Sequence, residues 1–350
     1  MADGRALVHA FLLGFEVETT MASVMNPPHY EKGFHATGTL GTMGAAAAAA
    51  RLLGLDAAQT RAALAVAASQ ASGLKENFGT MTKPFHAGHA ARSGVLSALL
   101  ARDGFTASEQ AIEGPQGYFA VLSAGKRDEQ VLDSLGAPWK ILETGVAVKP
   151  YPSCACTHSI IDSALELQRT HRIRPEQVAQ VTVGVNAAVP RILIHGNPRS
   201  GLEAKFSGEF SAAAALCDGR VGIATFRDDK TDDPAIREPH DARAPRGGPG
   251  DSRRSRASHV DAGHRASARR AGSGHRPRPV PGHPGLPLSM DQLREKFMDC
   301  ARIVLPEDRA DSVRQMVEQL DGCPDLRSLT AILSQSAGLP PSTRRSRPRW

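Results

Sequence analysis

The feature that most constrains how this chain folds is a stretch of small residues from Gly33 to Leu55, GFHATGTLGTMGAAAAAARLLGL. Its run of alanines predicts a helix, because alanine has the highest helix propensity, and such a helix has almost no side-chain bulk. Neighbouring helices can therefore approach its backbone closely. Gly54 is expected to end the helix, since glycine adopts the left-handed conformation there without strain. We predict a close-packed helical domain in which His35 lies on a Gly/Thr-rich turn before this helix.

Composition and capping signals extend the helical pattern along the chain. Only 5% of the residues are aromatic and 41% are apolar, so alanine, leucine and valine must supply most of the core. Capping boxes, in which a polar residue is followed three residues later by Glu or Gln, occur at Asp56, Thr106 and Ser289. Apolar residues repeat at helical spacing in several segments. Together these signals predict helices over residues 41–55, 57–72, 86–101, 106–114, 157–171, 203–217, 289–305 and 306–322.

The pattern changes near Val146, where a second domain of α+β type is expected to begin. Residues 178–185 alternate apolar and polar side chains, which is typical of a half-buried strand, and residues 221–226 could form another. The segment 239–280 has few apolar residues and is rich in Gly, Pro, Ser, Arg and His. Such a composition buries too little apolar surface to offset the entropy of ordering. We predict that this segment is disordered, or that it arises from a frameshift.

Charge, hydropathy and cysteine content exclude several partners. The formal net charge is +6, but the arginines that dominate it are concentrated in residues 239–280 without interleaved aromatic residues, so no nucleic-acid partner is expected. No apolar run is long enough to predict a membrane span, and residues 6–15 are interpreted as a buried helix rather than a signal sequence. The cysteines, including the C-x-C pair Cys154 and Cys156, match neither a disulfide framework nor a zinc site. We expect a cytoplasmic protein that binds no metal.

Several stretches of the chain resemble, in the same order, one known family. They are GFHATGTLGTMGAAAAAARLLGL, TMTKPFHAGHAARSGVLSALLA, VKPYPSCACTHSIIDSALEL and EAKFSGEFSAAAALCDGRV, and GHPGLPLSMDQLREKF is a weaker match. On these stretches the chain resembles the MmgE/PrpD family, which includes 2-methylcitrate dehydratases and cis-aconitate decarboxylases. The resemblance implies a mainly α protein in which both chain ends form an all-helical domain and an α+β domain is inserted between them. It also implies a homodimer that acts on a small tricarboxylate without a metal or other cofactor.

The resemblance also predicts where the domains lie. The helical domain is expected over residues 1–146, the α+β domain over 147–285, C-terminal helices that return to the helical domain over 286–335, and a basic tail over 336–350. Family members have further residues before the position that matches Met1, including an aspartate-rich stretch and a histidine that contribute to the active site. We therefore expect an N-terminally truncated member. Residues 239–280 lack the resemblance that both flanks carry, which favours a frameshift across them.

The reactions of this family share their chemical requirements. Dehydration of a 2-methylcitrate-like acid needs a base for a carbon-bound proton, an acid for the departing hydroxyl, and cations for several carboxylates. Decarboxylation of cis-aconitate needs the same cations and a proton donor to carbon. Lysine and histidine in a partly dry pocket suit both reactions, because their pKa values can move toward neutrality. We predict a hydro-lyase, with decarboxylation or epimerisation as alternatives and a truncated, catalytically inactive member as a further alternative.

The resembling stretches carry the predicted catalytic residues, His35, Lys83 and Lys149. From spacing alone, the favoured interpretation is that His35 bonds a backbone carbonyl; the resemblance implies a catalytic role instead. The resemblance likewise implies that Lys83 and Lys149 bind carboxylates or transfer protons. Lys205 and Glu209 lie one helical turn apart and are predicted to form a surface ion pair.

Other side chains in these stretches are predicted to bind substrate or to orient the groups that do. His86 is expected to support Lys83, and His158 to orient the loop before its helix. Tyr151 could reach substrate, although packing is the favoured interpretation. At the position of Cys154 the decarboxylases of the family tend to carry histidine, so the cysteine disfavours decarboxylation specifically.

Overall fold

The structure is a computed structural model that describes residues 2–123, 128–237, 259–262, 265–266 and 281–334. Over these residues helices dominate and the strands are few and short, which confirms a mainly α protein. The α-helices are α1 (Gly4–Met25), α2 (Pro28–Glu31), α3 (Ala36–Leu53), α4 (Ala57–Gln70), α5 (Thr82–Arg102), α6 (Tyr118–Leu122), α7 (Lys140–Glu143), α8 (Ala155–His171), α9 (Gly201–Ala204), α10 (Gly208–Asp218), α11 (Pro234–Arg237), α12 (Met290–Ala301), α13 (Glu307–Glu318) and α14 (Arg327–Ser334). The strands are β1 (Val178–Thr182), β2 (His259–Ala262) and β3 (Arg265–Ala266).

The contacts within the chain divide it into two compact units. The first unit contains the described residues of Met1–Glu76, Pro84–Gly145 and Ser289–Trp350, and the second contains those of Asn77–Lys83 and Val146–Leu288. The first unit therefore holds α1–α4, most of α5, α6, α7 and α12–α14. The second unit holds α8–α11 and the three strands.

Helix α3 of the first unit ends where the sequence predicts and begins earlier. Gly54 follows its last residue with φ +67°, the left-handed conformation expected at this position. The predicted Gly/Thr-rich turn before the helix is wrong, because α3 already begins at Ala36. The Thr42 hydroxyl donates to the Gly38 carbonyl at 2.8 Å, so its polar side chain is satisfied within the helix. A Cβ on Gly38 would lie 2.3 Å from the Ser72 carbonyl oxygen, so close packing there requires glycine.

Small residues allow α1 and α3 to pack with their backbones in close contact. A Cβ on Gly14 of α1 would lie 2.7 Å from the Gly44 carbonyl oxygen, and a Cβ on Gly44 would lie 2.7 Å from that of Gly14. Neither position has room for a side chain. Met25 and Met43, both fully buried, contribute to the core that these helices share. The predicted close approach of helices is thus confirmed.

Helix α1 includes residues 6–15, and a buried carboxylate ties it to α7. Glu16 is 1% exposed, and its two carboxylate oxygens accept the Gly136 N–H at 2.9 Å and the Lys140 N–H at 2.6 Å. Among the described helices, α1 alone is long and apolar enough to cross a membrane by composition. Core helices of soluble proteins and signal sequences satisfy the same criterion, so this is weak evidence for a span.

Adding one methyl group where α5 packs on α3 is expected to destabilise the first unit. In Gly94→Ala the new Cβ would lie 2.5 Å from both the Ala45 Cβ and the Ala46 backbone nitrogen. Overpacking of this kind costs about 1–3 kcal/mol of unfolding free energy. Gly88→Ala on the same helix is the matched control, because its Cβ meets nothing within 4 Å and alanine improves helix propensity by about 1 kcal/mol. Urea unfolding measures the unfolding free energy of both variants. Equal values would contradict the close packing of α5 on α3 at Gly94.

The core of the second unit lies between α8, α10 and the first strand. Ile161 of α8 and Ala215 of α10 are fully buried, and Val181 of β1 packs with them. The strands form one antiparallel sheet in the order β1-β2-β3. The strand predicted over residues 178–185 is confirmed for Val178–Thr182. Of the segment predicted to be disordered or frameshifted, 239–280, the structure describes only β2 and β3, and the rest lies outside the described residues.

The capping box predicted at Thr106 and the helix predicted over residues 106–114 are both wrong, because side chains take other partners. The capping box predicted at Thr106 does not form, and residues 106–114 are not helical; residues 109–113 form turns. The Glu109 carboxylate instead binds Arg61 at 2.6 Å, while the Ser108 hydroxyl accepts the Gln110 N–H at 3.2 Å. Long-range pairing has removed the side chain that the box requires.

Local side-chain hydrogen bonds also alter two elements of the second unit. The strand considered over residues 221–226 is a short 3-10 helix, Ile223–Phe226, in which the Thr225 hydroxyl accepts the Gly222 N–H at 3.1 Å. The helix predicted over residues 203–217 is two helices, α9 and α10. Ser207 separates them, because its hydroxyl accepts the Phe210 N–H at 3.1 Å and so starts a new helix.

Candidate active site

His35 lies at the start of α3, and the backbone around it holds it in place. Its N–H donates to the Gly73 carbonyl at 3.0 Å, and its own carbonyl accepts the N–H groups of Gly38 at 2.8 Å and Thr39 at 3.2 Å. The side chain makes no capping hydrogen bond to the helix, although the residue is only 6% exposed. The fold therefore holds the backbone of His35 in place without a capping bond from its imidazole.

The partner of the His35 side chain is His86, a residue of α5 in the same unit. The two Nδ1 atoms are 2.9 Å apart, and the ring centroids are 5.1 Å apart with planes inclined by 53°. His86 is 5% exposed. The sequence assigned His86 to the support of Lys83, whereas the structure pairs it with His35. We call His35 and His86 the histidine pair.

A third buried histidine, His29, has the contacts of a structural residue. Its Nδ1 bonds the Leu122 carbonyl at 3.1 Å, and its Nε2 bonds the Thr39 hydroxyl at 2.8 Å. The ring stacks on Phe34 with a centroid distance of 4.9 Å. Burial lowers the pKa of His29, so the neutral form is favoured. Because both ring nitrogens have protein partners, this histidine serves the fold.

The second unit brings together three lysines, Lys83, Lys149 and Lys205, around Cys154; we call them the lysine cluster. Burial lowers the pKa of Lys83, and repulsion from the ammonium groups of Lys149 and Lys205 lowers it further. The Lys149 ammonium donates to the Ser153 carbonyl at 3.1 Å. Like charges brought together in this way attract a polyvalent anion, since an anion relieves their mutual repulsion.

Cys154 lies within this cluster at the start of α8. Its backbone N–H donates to the Lys205 carbonyl at 2.9 Å, which places the two segments side by side. The pKa of the Cys154 thiol is lowered, chiefly by a hydrogen bond from the Cys156 thiol and also by the charges of Lys149 and Lys83. The same hydrogen bond raises the pKa of Cys156. Cys154 is therefore the member of the C-x-C pair that ionises first.

His158 and Tyr151 lie next to the lysine cluster in the second unit. His158 is 3% exposed, and its pKa is lowered first by burial and then by the charge of Lys149. Its Nε2 has no hydrogen-bond partner among the described residues. Tyr151 contacts the His158 ring edge-on at 5.5 Å and donates its hydroxyl to Asp162 at 2.6 Å. The Tyr151 hydroxyl is thus already engaged by protein, whereas the Nε2 of His158 has no partner among the described residues.

Lys205 is the cluster member that sequence reasoning missed. The predicted surface pair with Glu209 is wrong, because the described ion pairs of the second unit do not include it and the Glu209 carboxylate instead accepts from the Ser207 hydroxyl at 3.5 Å. The break between α9 and α10 removes the helical spacing on which that prediction depended. The available signal was the position of Lys205 inside EAKFSGEFSAAAALCDGRV, one of the resembling stretches.

Across the described residues, no group of three or more His, Cys, Asp or Glu side chains could hold a metal ion.

Comparison with known proteins agrees with these motifs. The family model of the MmgE/PrpD N-terminal domain matches residues 1–130, and that of the MmgE/PrpD C-terminal domain matches residues 151–241. Cis-aconitate decarboxylase of Mus musculus is 30% identical over 345 residues, which cover 95% of this chain and 68% of that protein. The protein of the same name from Homo sapiens is 29% identical over 340 residues, which cover 95% of this chain and 69% of that protein. A cis-aconitate decarboxylase from Aspergillus terreus is 26% identical over 257 residues, which cover 67% of this chain and 51% of that protein. The chain therefore belongs to the MmgE/PrpD family.

Proposed function

We propose that this protein is a lyase that decarboxylates a small unsaturated tricarboxylate of the cis-aconitate type. The observation that carries the proposal is the lysine cluster, in which the ammonium groups of Lys149 and Lys205 repel that of Lys83 and the Cys154 N–H donates to the Lys205 carbonyl at 2.9 Å. A substrate with several carboxylates would neutralise this repulsion, and hydrogen bonds to charged groups contribute about 1.5–3 kcal/mol each. The relatives named cis-aconitate decarboxylase, which cover most of this chain, support the choice of reaction.

Decarboxylation requires the residues to bind charge and to deliver one proton. The bond between the leaving carboxylate and the carbon chain breaks, and its electron pair stays on the chain. A proton must then be added to carbon, for which His35 is the assigned donor. The ammonium groups of Lys83 and Lys149 stabilise the negative charge that spreads over the remaining carboxylates. We assign His158 to a substrate oxygen because its Nε2 has no hydrogen-bond partner among the described residues.

Dehydration of a 2-methylcitrate-like acid is the second candidate. Cys154 supports it, because decarboxylases that the chain resembles tend to carry histidine at that position. In this reaction the base removes a carbon-bound proton and an acid protonates the departing hydroxyl, so two proton transfers are needed where decarboxylation needs one. Epimerisation would remove the carbon-bound proton and return a proton to the opposite face of the same carbon, without the loss of hydroxide.

Incubation of the purified chain with cis-aconitate and, separately, with 2-methylcitrate tests these assignments. We expect carbon dioxide to be released from cis-aconitate in proportion to the acid consumed. Release of an unsaturated acid from 2-methylcitrate without carbon dioxide would favour dehydration. Turnover of neither acid by folded protein, under conditions in which a cis-aconitate decarboxylase is active, would support the inactive alternative.

Other features of the family remain proposals for this chain. We propose that it forms a homodimer in the cytoplasm, that its second unit is the inserted α+β domain, and that its partner is the tricarboxylate rather than nucleic acid or membrane. The division into units, with the C-terminal helices in the first, supports the inserted domain. Light scattering coupled to gel filtration would measure the oligomeric state directly.

A further inference from the structure

The contact between His35 and His86 restricts how protons can be placed on the two rings. Their Nδ1 atoms face each other at 2.9 Å, and both residues are buried. A hydrogen bond between two nitrogens needs one donor and one acceptor, so only one Nδ1 can carry a proton. If His86 donates, the Nδ1 of His35 is unprotonated, and neutral His35 carries its proton on Nε2. If His35 donates, the Nε2 of neutral His35 is unprotonated and can act only as a base.

We propose that His86 is a positioning residue that donates its Nδ1–H to His35 and thereby keeps His35 as the Nε2–H tautomer. This inference rests on the proposed function, because protonation of carbon requires an acid at His35 rather than a base. The role assigned to His86 differs from the support of Lys83 that its sequence position indicated. His86 acts only through His35.

The proton balance shows why a histidine suits this position. Before the reaction His86 is an imidazolium with protons on both nitrogens, and His35 is neutral with its proton on Nε2. His35 gives the Nε2 proton to the substrate carbon while the shared proton moves from the His86 Nδ1 to the His35 Nδ1. Both rings are then neutral, so no imidazolate forms and the pair loses one positive charge. Proton uptake from water at the pair restores the starting state.

The backbone around the pair is shaped for this contact. Gly73 accepts the His35 N–H with its carbonyl and has φ +150°, a conformation that side-chain-bearing residues rarely adopt. A Cβ at this position would lie 3.4 Å from the Nδ1 and Cγ atoms of His86. The same glycine therefore holds the backbone of His35 and lies beside the ring of His86.

Substitutions at His86 separate positioning from packing. His86→Asn places an amide N–H close to where the imidazole Nδ1–H lies, so it can still donate to His35. His86→Leu has similar bulk and no donor. His89→Asn is the matched control, since His89 lies on the same helix and stacks on Phe85 rather than on His35. Nitrogen-15 NMR of the histidine rings reports the tautomer of His35 in each variant without substrate.

We expect the Nε2–H tautomer of His35 in the wild type, His86→Asn and His89→Asn, and a mixture of tautomers in His86→Leu. With substrate, kcat should fall about 10- to 100-fold in both His86→Leu and His86→Asn with KM changed less than about threefold, because neither side chain can pass a proton to the His35 Nδ1. The inference is overturned if His86→Leu keeps both the tautomer and kcat, or if His86→Asn loses the Nε2–H tautomer or retains the wild-type kcat. If no tricarboxylate is turned over, the proposed function fails, and the NMR result alone decides the role of His86.

Discussion

Replacing Lys83 with methionine is expected to abolish most of the activity while leaving the protein folded. The variant keeps the length of the side chain and removes the ammonium group. A substrate carboxylate then lacks one charged hydrogen bond, and leaving that group unpaired adds to the loss. We expect kcat/KM to fall about 10²- to 10³-fold, since each factor of ten corresponds to about 1.4 kcal/mol.

Lys32→Met is the matched control for this experiment. Lys32 is exposed, and its ammonium donates to the Val121 carbonyl at 3.3 Å. Its replacement removes the same charge from the protein outside the lysine cluster, so kcat/KM should change less than about threefold, as is usual for exposed charges. Equal losses in the two variants would show that net charge, rather than the cluster, determines activity.

Stability measurements on the Lys83 variant distinguish the loss of function from misfolding. Burial and neighbouring ammonium groups lower the pKa of folded Lys83 below its unfolded value of 10.5, so the unfolded chain binds more protons between the two pKa values. Wild-type stability therefore rises with pH in this window, and the destabilisation by the charged lysine is fully present below it. We expect Lys83→Met to have a higher Tm than the wild type at neutral pH. That difference should shrink as the pH is raised toward 10.5.

Replacing His35 with asparagine is expected to cause the second large loss of activity. The asparagine amide can still meet His86 near the position of the imidazole Nδ1, but no atom replaces Nε2. General acid catalysis contributes about 10²- to 10⁴-fold, so we expect kcat to fall by that factor. KM should change little, because the asparagine removes no charge that would bind a substrate carboxylate. Steady-state kinetics with cis-aconitate measures both parameters.

His29→Asn provides the contrasting result for a structural histidine. His29 is fully buried and bonded through both ring nitrogens, so its replacement leaves buried polar groups unsatisfied at a cost of about 1–3 kcal/mol. The unfolding free energy should fall, while kcat per folded molecule stays near that of the wild type. If instead His29→Asn lost activity and His35→Asn lost only stability, the roles assigned to these two residues would be reversed.

Much of the helical structure follows from neighbouring residues in the sequence. The capping boxes at Asp56 and Ser289 form as predicted, because their partners Gln59 and Gln292 lie within the same turn. Gly54 ends α3 for an equally local reason, its access to the left-handed conformation. The box predicted at Thr106 fails through a distant residue, since Arg61 takes the Glu109 carboxylate.

What the sequence by itself determined is the mainly α class, the positions of most of the predicted helices, and the family stretches that contain His35, Lys83 and Lys149. Only the tertiary structure decided which side chains meet. His86 lies 51 positions from His35, and no local pattern indicates that their Nδ1 atoms lie 2.9 Å apart. Lys205 likewise joins the lysine cluster because its helix breaks before Ser207. The physical reason is that helix signals act between residues a few positions apart, whereas burial and proton sharing depend on contacts between distant segments.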